Sequence, residues 1–173
     1  RKGNENLTSF KLLEKFARTE LDREAPRTFG VCNPILLEIQ NLEAAKELKF
    51  TAPLFPADAS KGTQTYPLTK NVYIDADDFS ETHKDKFFGL TDKQPVCLKY
   101  GPVVKLVGVV KNDDGSINHA KVEILPNHTE KLKGYLHWVS KEHSLTVTTN
   151  LYAVLFTVED IKKAGDKWLE HLN

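Results

Sequence analysis

Apolar residues recur every third or fourth position from Ser9 to Leu21, at Phe10, Leu13, Ala17 and Leu21, the spacing of one helical face. Ala25-Pro26-Arg27 follows, and proline disfavours the α conformation of the residue before it, so the helix is expected to end there. From Pro34 the period changes to two: Ile35, Leu37 and Ile39 alternate with Glu38 and Gln40, as in a half-buried strand. Residues 48–68 carry Pro53, Pro56, Gly62 and Pro67 and read as an irregular connection with one short edge strand. Val72–Asp75 is the next strand, and an acidic corner follows at Asp75, Asp77, Asp78 and Glu81. Two more strands, Val96–Lys99 and Val103–Val110, flank Gly101-Pro102, and the second is apolar on both sides of its pleat, which predicts burial on both faces.

Asn112-Asp113-Asp114-Gly115 has the composition of a tight hairpin turn. Its return strand puts Ala120, Val122 and Ile124 on one side and His119, Lys121 and Glu123 on the other. Residues 132–139 and 145–155 read as two further strands, the latter alternating Leu145, Val147, Thr149 and Leu151 with polar positions. The last segment reads as a helix, with Thr157 and Asp160 as a variant capping box and Ile161, Ala164, Trp168 and Leu172 as its apolar stripe. Short strands at intervals of about ten residues, with helices at the two ends, predict a mostly β chain. The fold expected from this pattern is antiparallel β, closed into a barrel or a pair of barrels, rather than a doubly wound parallel sheet.

Composition adds limits. The chain has 173 residues, 40% apolar and 28% charged, within the range of globular domains. Twenty-four basic residues balance 24 acidic ones, which argues against a strongly basic nucleic-acid tail but leaves room for a local basic face. No run approaches the roughly eighteen apolar residues of a membrane span, and the charged N-terminus does not read as a secretory signal. No membrane partner is expected. The lack of any Met suggests a segment of a longer protein. Cys32 and Cys97 are isolated and read as reduced thiols of a cytosolic or nuclear compartment. The sequons at Asn6 and Asn127 read as coincidental in that setting.

Motifs for nucleotide binding, hydrolysis or zinc proteolysis are missing from the chain. His137 and His143 lack a third ligand at a recognisable spacing, and the acidic corner lacks the glycine and terminal Glu of a calcium loop. No catalytic residues and no metal site are therefore assigned. Lys84, Lys86, Lys93, Lys99 and Lys105, interleaved with Phe87, Phe88 and Tyr100, form a different kind of signal. Unpaired RNA bases are held by cations for their phosphates and rings for their faces. Lysines on strand faces also serve solubility, so this signal alone is weak.

Eight collinear motifs carry a stronger one: Ala-Pro-Arg at 25–27 after the Leu-Leu-Glu helix, then Phe-Pro-Ala-Asp-Ala-Ser-Lys-Gly-Thr at 55–63 and Val-Tyr-Ile-Asp-Ala-Asp-Asp-Phe at 72–79. Phe-Phe-Gly-Leu at 87–90, Val-Cys-Leu-Lys-Tyr at 96–100 and Val-Val-Lys-Asn-Asp-Asp-Gly at 109–115 continue the series. Lys-Gly-Tyr-Leu-His-Trp-Val-Ser at 133–140 and Leu-Tyr-Ala-Val-Leu-Phe at 151–156 complete it. Together they resemble the C-terminal anticodon-binding domain of glutaminyl-tRNA synthetases, eukaryotic members most of all.

The resemblance implies a stem-like helix over residues 1–27, an anticodon-binding region of two adjoining antiparallel β-barrels, one of them incomplete, over 28–156 and a C-terminal helix over 157–173. It implies a glutamine-accepting tRNA as partner, the protein's own catalytic domain as a second, and other synthetases as further candidates. The parent ligase uses ATP and Mg²⁺ in a class I catalytic domain whose signatures this chain lacks, so no cofactor is expected here. By the same resemblance Arg27 contacts an anticodon base, with pairing to Glu24 as the competing account. Lys99 faces the anticodon loop, Lys86 matches the basic segment more loosely, and Lys84 is placed by neighbourhood.

Two positions depart from the family pattern. Gly89 and Cys97 stand where many members carry basic residues, which leaves the reading of the outer anticodon bases open. Members also continue past residue 173, so the barrel nearest the anticodon is expected to lack part of its wall. The equivalent domain of glutamyl-tRNA synthetases, a ribosomal protein that binds 5S RNA, and a protein-interaction module of a multi-synthetase assembly are the alternatives.

Overall fold

The computed structural model describes residues 9–173. The sequon at Asn6 lies outside them. The described chain falls into two units, residues 27–146 and a second that comprises the N-terminal helix and residues 147–173.

Within the first unit a seven-stranded sheet is built from β1 (Pro34–Ile39), β4 (Asn71–Asp75), β5 (Val96–Leu98), β6 (Val103–Lys111), β7 (Ile117–Ile124), β8 (Tyr135–Leu136) and β9 (Val139–Ser140). The remaining strands, β2 (Leu48–Pro53) and β3 (Thr63–Leu68), form a two-stranded antiparallel sheet. The large sheet runs β8-β5-β6-β7-β1-β4-β9. Its two outermost strands are consecutive in the chain, separated by His137 and Trp138 alone. Three residue steps span at most about 10 Å. The two edges of the sheet must therefore meet, and the sheet curls into a barrel that a single kinked segment closes. That mostly β, curled architecture matches the expected fold class. Two pairings, β1 with β7 and β5 with β8, are parallel, where an antiparallel barrel was expected.

Inward positions follow the period of two. Ile35, Leu37 and Ile39 of β1 face the core with Val72 and Ile74 of β4, Val96 and Leu98 of β5, and Ala120 and Val122 of β7. Strand β6 departs from the expected burial on both faces. Its register skips between Leu106 and Gly108, so Val107 is an extra residue that bulges outward and is 46% exposed. The bulge resets the alternation: Val104, Leu106 and then Val109 pack on the core, rather than Gly108. A long apolar run here encodes a change of face, not two buried faces.

The stretch from Leu48 to Leu68 is more regular than its prolines suggested. Leu48 pairs with Leu68 and the register holds through Pro53 and Thr63. A two-stranded sheet leaves each strand a free edge, so Pro67, which has no N–H to donate, sits inside β3 without breaking the ladder. Phe50, Tyr66 and Leu68 of this hairpin pack on the core of the same unit.

The second unit has no buried side chain in its helical elements. Helix α1 (Phe10–Glu24) ends where predicted, with the Ala25 N–H donating to the Leu21 carbonyl at 2.9 Å. The strand expected over residues 145–155 does not form among the described residues: Leu145, Val147, Leu151 and Tyr152 are exposed and pair with none of the described strands. The final helix is a 3₁₀ element, Ile161–His171, interrupted at Gly165, whose φ of 56° and ψ of −135° leave the helical region. Asp160 caps it, accepting from the Lys162 N–H at 3.1 Å. Thr157 does not; its hydroxyl donates to the His171 carbonyl at 3.3 Å instead.

Candidate nucleic-acid interface

The kink that closes the barrel also builds its most distinctive surface. Trp138 is 1% exposed, and its indole N–H donates to the Lys99 carbonyl at 3.0 Å. The Lys99 N–H in turn donates to the Leu136 carbonyl at 2.9 Å. These bonds fasten the end of β5 to the β8–β9 bend and hold Lys99 beside His137, with Nζ 3.3 Å from Nε2. Tyr100 follows in the left-handed region, φ 62°, an uncommon conformation for an aromatic residue. That turn leaves its ring 40% exposed and 5.8 Å from the Lys99 ammonium.

Phe29 is the centre of the cluster. Its ring stacks on Tyr66 at 4.4 Å, lies nearly parallel to Tyr100 at 6.3 Å, and meets the edge of His137 at 5.5 Å. Trp138 lies 6.1 Å from Phe29 and 6.5 Å from Tyr66. Five rings from four chain segments thus converge beside one lysine. Rings supply faces on which bases stack, and the ammonium supplies charge for a phosphate or a base edge.

Partial burial, then the Lys99 ammonium, holds the His137 pKa below its ordinary value, with Asp78 pulling the other way. Asp78 itself is raised, first by burial and then by the neighbouring Asp75 carboxylate. Burial also raises the Tyr66 hydroxyl and the Cys97 thiol. The acidic corner is a capped turn: the Asp75 side chain accepts from the backbone of Cys32, Asn33 and Asp77. Among the described residues no group of three or more His, Cys, Asp or Glu is placed to hold a metal ion.

Arg27 is exposed, and its backbone N–H donates to the Leu54 carbonyl at 2.7 Å. It stands two positions before Phe29, within about 7 Å of chain. Glu24, the competing partner, has Arg23 at 3.3 Å. Lys84 and Lys86 lie on the exposed loop between the acidic turn and β5, and neither forms an ion pair with another of the described residues. Lys105 of the same basic stretch is committed to Glu123 across the β6–β7 ladder at 3.1 Å. Lys99 and the aromatic rings are therefore brought together, whereas Lys84 and Lys86 lie on a separate loop.

The two departures from the basic pattern differ in kind. A Cβ at Gly89 would stand 2.1 Å from the Asp78 carbonyl oxygen, so this backbone admits no side chain there at all. Cys97 is half-buried with its thiol 3.3 Å from the Leu98 carbonyl, turned into the protein. Sequence reasoning had placed His137 among weak metal candidates and left Phe29, Tyr66 and Trp138 unassigned. The available signal was local: Phe29 follows Arg27 by two positions, and Tyr100-Gly101-Pro102 marks a tight turn directly after Lys99.

A family model for the anticodon-binding domain of class I tRNA synthetases (E and Q) matches residues 25–125. The chain belongs to that family. The anticodon-binding domain is similar along most of its length to bacterial proteins, where the motif reading had pointed to eukaryotic ones. It is 34% identical to the glutamine–tRNA ligase of Ralstonia nicotianae over 94% of the chain. It is 35% identical to that of Neisseria meningitidis over 90%, and 34% identical to that of Bordetella pertussis over 91%. The chain spans 29% of the length of the Ralstonia and Neisseria proteins and 28% of the Bordetella one. No helix among the described residues is long and apolar enough to cross a membrane.

Proposed function

We propose that this domain reads the anticodon loop of a glutamine-accepting tRNA for a cytoplasmic glutamine–tRNA ligase. The catalytic domain of that ligase would carry the ATP and Mg²⁺ chemistry. The observation that supports this reading best is the convergence of Phe29, Tyr66, Tyr100, His137 and Trp138 beside the Lys99 ammonium. Splayed loop bases stack on such rings, and a planar guanidinium at Arg27 can hold a base edge through two parallel hydrogen bonds. Lys99 belongs to the base-facing part of the surface. Lys86 and Lys84, exposed on a neighbouring loop of the same unit, contact phosphates and set register rather than sequence.

The test is a titration of glutamine tRNA and of an anticodon-altered copy at two salt concentrations. Affinity for both falls with salt in proportion to the phosphates engaged. Arg27→Ala weakens the native tRNA by an order of magnitude or more, since one bidentate base contact carries about 1–3 kcal/mol, and weakens the altered copy far less. Equal loss for both would remove Arg27 from base reading. Tighter binding of a glutamate tRNA would assign the domain to the other branch of its family.

A further inference from the structure

Burial alternates along the segment that closes the barrel: Gly134, Leu136 and Trp138 are buried, and Lys133, Tyr135 and His137 are exposed. A period of two puts the exposed three on one outward face, about 6.6 Å from each to the next. Strand β5 alternates beside it. Val96 and Leu98 are fully buried, so Cys97 and Lys99 share the outward side. Cys97 pairs with Tyr135 in the parallel β5–β8 ladder, and Lys99 meets His137 one step further on, at 3.3 Å. The outward face thus carries two rows, Cys97 beside Tyr135 and Lys99 beside His137.

The first row is chemically unlike the second. Tyr135 is 63% exposed, and neither its ring nor its hydroxyl has a partner among the described residues. Its backbone is nevertheless fixed. The Cys97 N–H donates to the Gly134 carbonyl at 3.0 Å and the Lys99 N–H to the Leu136 carbonyl at 2.9 Å, one bond on each side of the tyrosine. Cys97 brings no charge to the row, and its thiol lies against the Leu98 and Gly101 carbonyls at 3.3 and 3.6 Å. The cation nearest along the strand is the exposed Lys133, two positions before the ring.

We propose that Tyr135 is a stacking platform for one unpaired nucleotide of the tRNA loop, beside the nucleotide held at the Phe29–Tyr100 cluster, with Lys133 on its phosphate. This rests on the RNA-binding role proposed above and adds how one loop position is recognised: by the face of its base and not by its edge. Continuity with the Lys99–His137 row and the flanking lysines favour RNA as the occupant, since successive bases stack on rings while cations follow the backbone. Every base has a π-face, so a platform of this kind is sequence-tolerant. The phenol hydroxyl both donates and accepts, and it rejects neither kind of base edge. The domain therefore accepts any of the four bases at this position while requiring that a base be present.

The experiment measures binding of the chain to glutamine tRNA carrying, at each anticodon-loop position in turn, each of the four bases or an abasic site. One position is expected at which the four bases bind within about threefold of one another and the abasic tRNA about tenfold or more weaker. Tyr135→Ala lowers affinity for all four bases there by about the same tenfold and leaves the abasic tRNA unchanged, because both changes remove one contact. Tyr135→Phe binds like the wild type. Neither variant alters the salt dependence, whereas Lys133→Ala lowers its slope by about one phosphate. Unchanged binding in Tyr135→Ala, or an equal loss on the abasic tRNA, would overturn the platform alone. A tenfold preference for one base at the position that depends on Tyr135 would overturn recognition by the face. Absence of salt-dependent tRNA binding in the wild type would overturn both the platform and the proposed function. Should Tyr135→Ala fail to fold by thermal melting, Tyr135→Leu, which keeps apolar bulk without a ring, takes its place. Wild-type binding by that variant overturns the inference.

Discussion

Residues 35–138 contain every buried apolar side chain among those described, whereas 145–173 contain none, although the two stretches carry similar alternating patterns. Ile35, Leu37 and Ile39 alternate as Leu145, Val147 and Leu151 do. The first set is 8%, 0% and 0% exposed; the second is 89%, 74% and 82% exposed. The difference is partnership. β1 has β7 on one side and β4 on the other, and its inward face meets a closed wall. Among the described residues, 145–151 has no ladder on either side. Period two therefore reports the capacity to be a strand, and a neighbour with free backbone groups converts it into one.

The sharpest way to break that contrast is to remove matched apolar bulk from each side. Trp138→Ala deletes a fully buried indole and orphans the Lys99 carbonyl it serves. A loss of about 3–5 kcal/mol is expected, enough to unfold a marginal domain in urea titration. Tyr152→Ala, at a side chain 92% exposed, should stay within about 0.5 kcal/mol in the same titration. A comparable loss from Tyr152→Ala would mean that the exposed segment is part of the cooperative unit after all.

Gly89→Ala comes next. The new methyl would press on the Asp78 carbonyl, which also accepts from the Leu90 N–H at 2.8 Å, so the backbone itself has to move. We expect about 3 kcal/mol of destabilisation, read from the melting temperature. A basic residue cannot be restored at this position by a single substitution. If Gly89→Arg melts like the wild type, the close approach of the two chains at Asp78 is wrong.

On the other side of the comparison, Gly165→Ala should act in the opposite sense. Ile161, Ala164, Trp168 and Leu172 have the spacing of a continuous helix, yet glycine alone tolerates the backbone angles found at the break. Alanine favours helix by about 1 kcal/mol at such a position. The substitution should raise the helical circular dichroism signal with little change in the urea midpoint of the barrel. A lost signal would show that the break is held by packing.

What was legible in the sequence follows the same division. Strands β1, β4, β5 and β7 and the Asn112–Gly115 hairpin stood out because one face of each is buried and their polarity alternates. Pro53 and Pro67 concealed the β2–β3 hairpin, since a proline argues against a central strand and says nothing against one with a free edge. Val107 concealed the bulge, because an apolar residue looks the same whether it faces the core or solvent. Arg27 and Lys99 are assigned through motifs alone. His137 and Phe29 depend on which distant segments meet at the barrel's closure, a long-range fact that no local period records.

The smallest effect concerns a group the barrel carries against its own stability. Burial and the Asp75 carboxylate raise the Asp78 pKa, so the folded state prefers that carboxyl protonated. A raised carboxyl contributes stability below its unfolded value near 3.9 and loses it as pH rises through the folded value. At neutral pH the ionised Asp78 is therefore a liability. Asp78→Asn should stabilise the domain by less than about 1 kcal/mol at neutral pH, with the gain shrinking as the solution is acidified toward the carboxylate range. Chemical denaturation at a series of pH values reads both the sign and the slope. The region without buried side chains offers no site where such a group could be strained, since an exposed carboxylate keeps its water. A gain at neutral pH would thus mark Asp78 as a charge held near His137 at the expense of stability, and an unchanged or lower stability would mean that the carboxylate has a compensating partner.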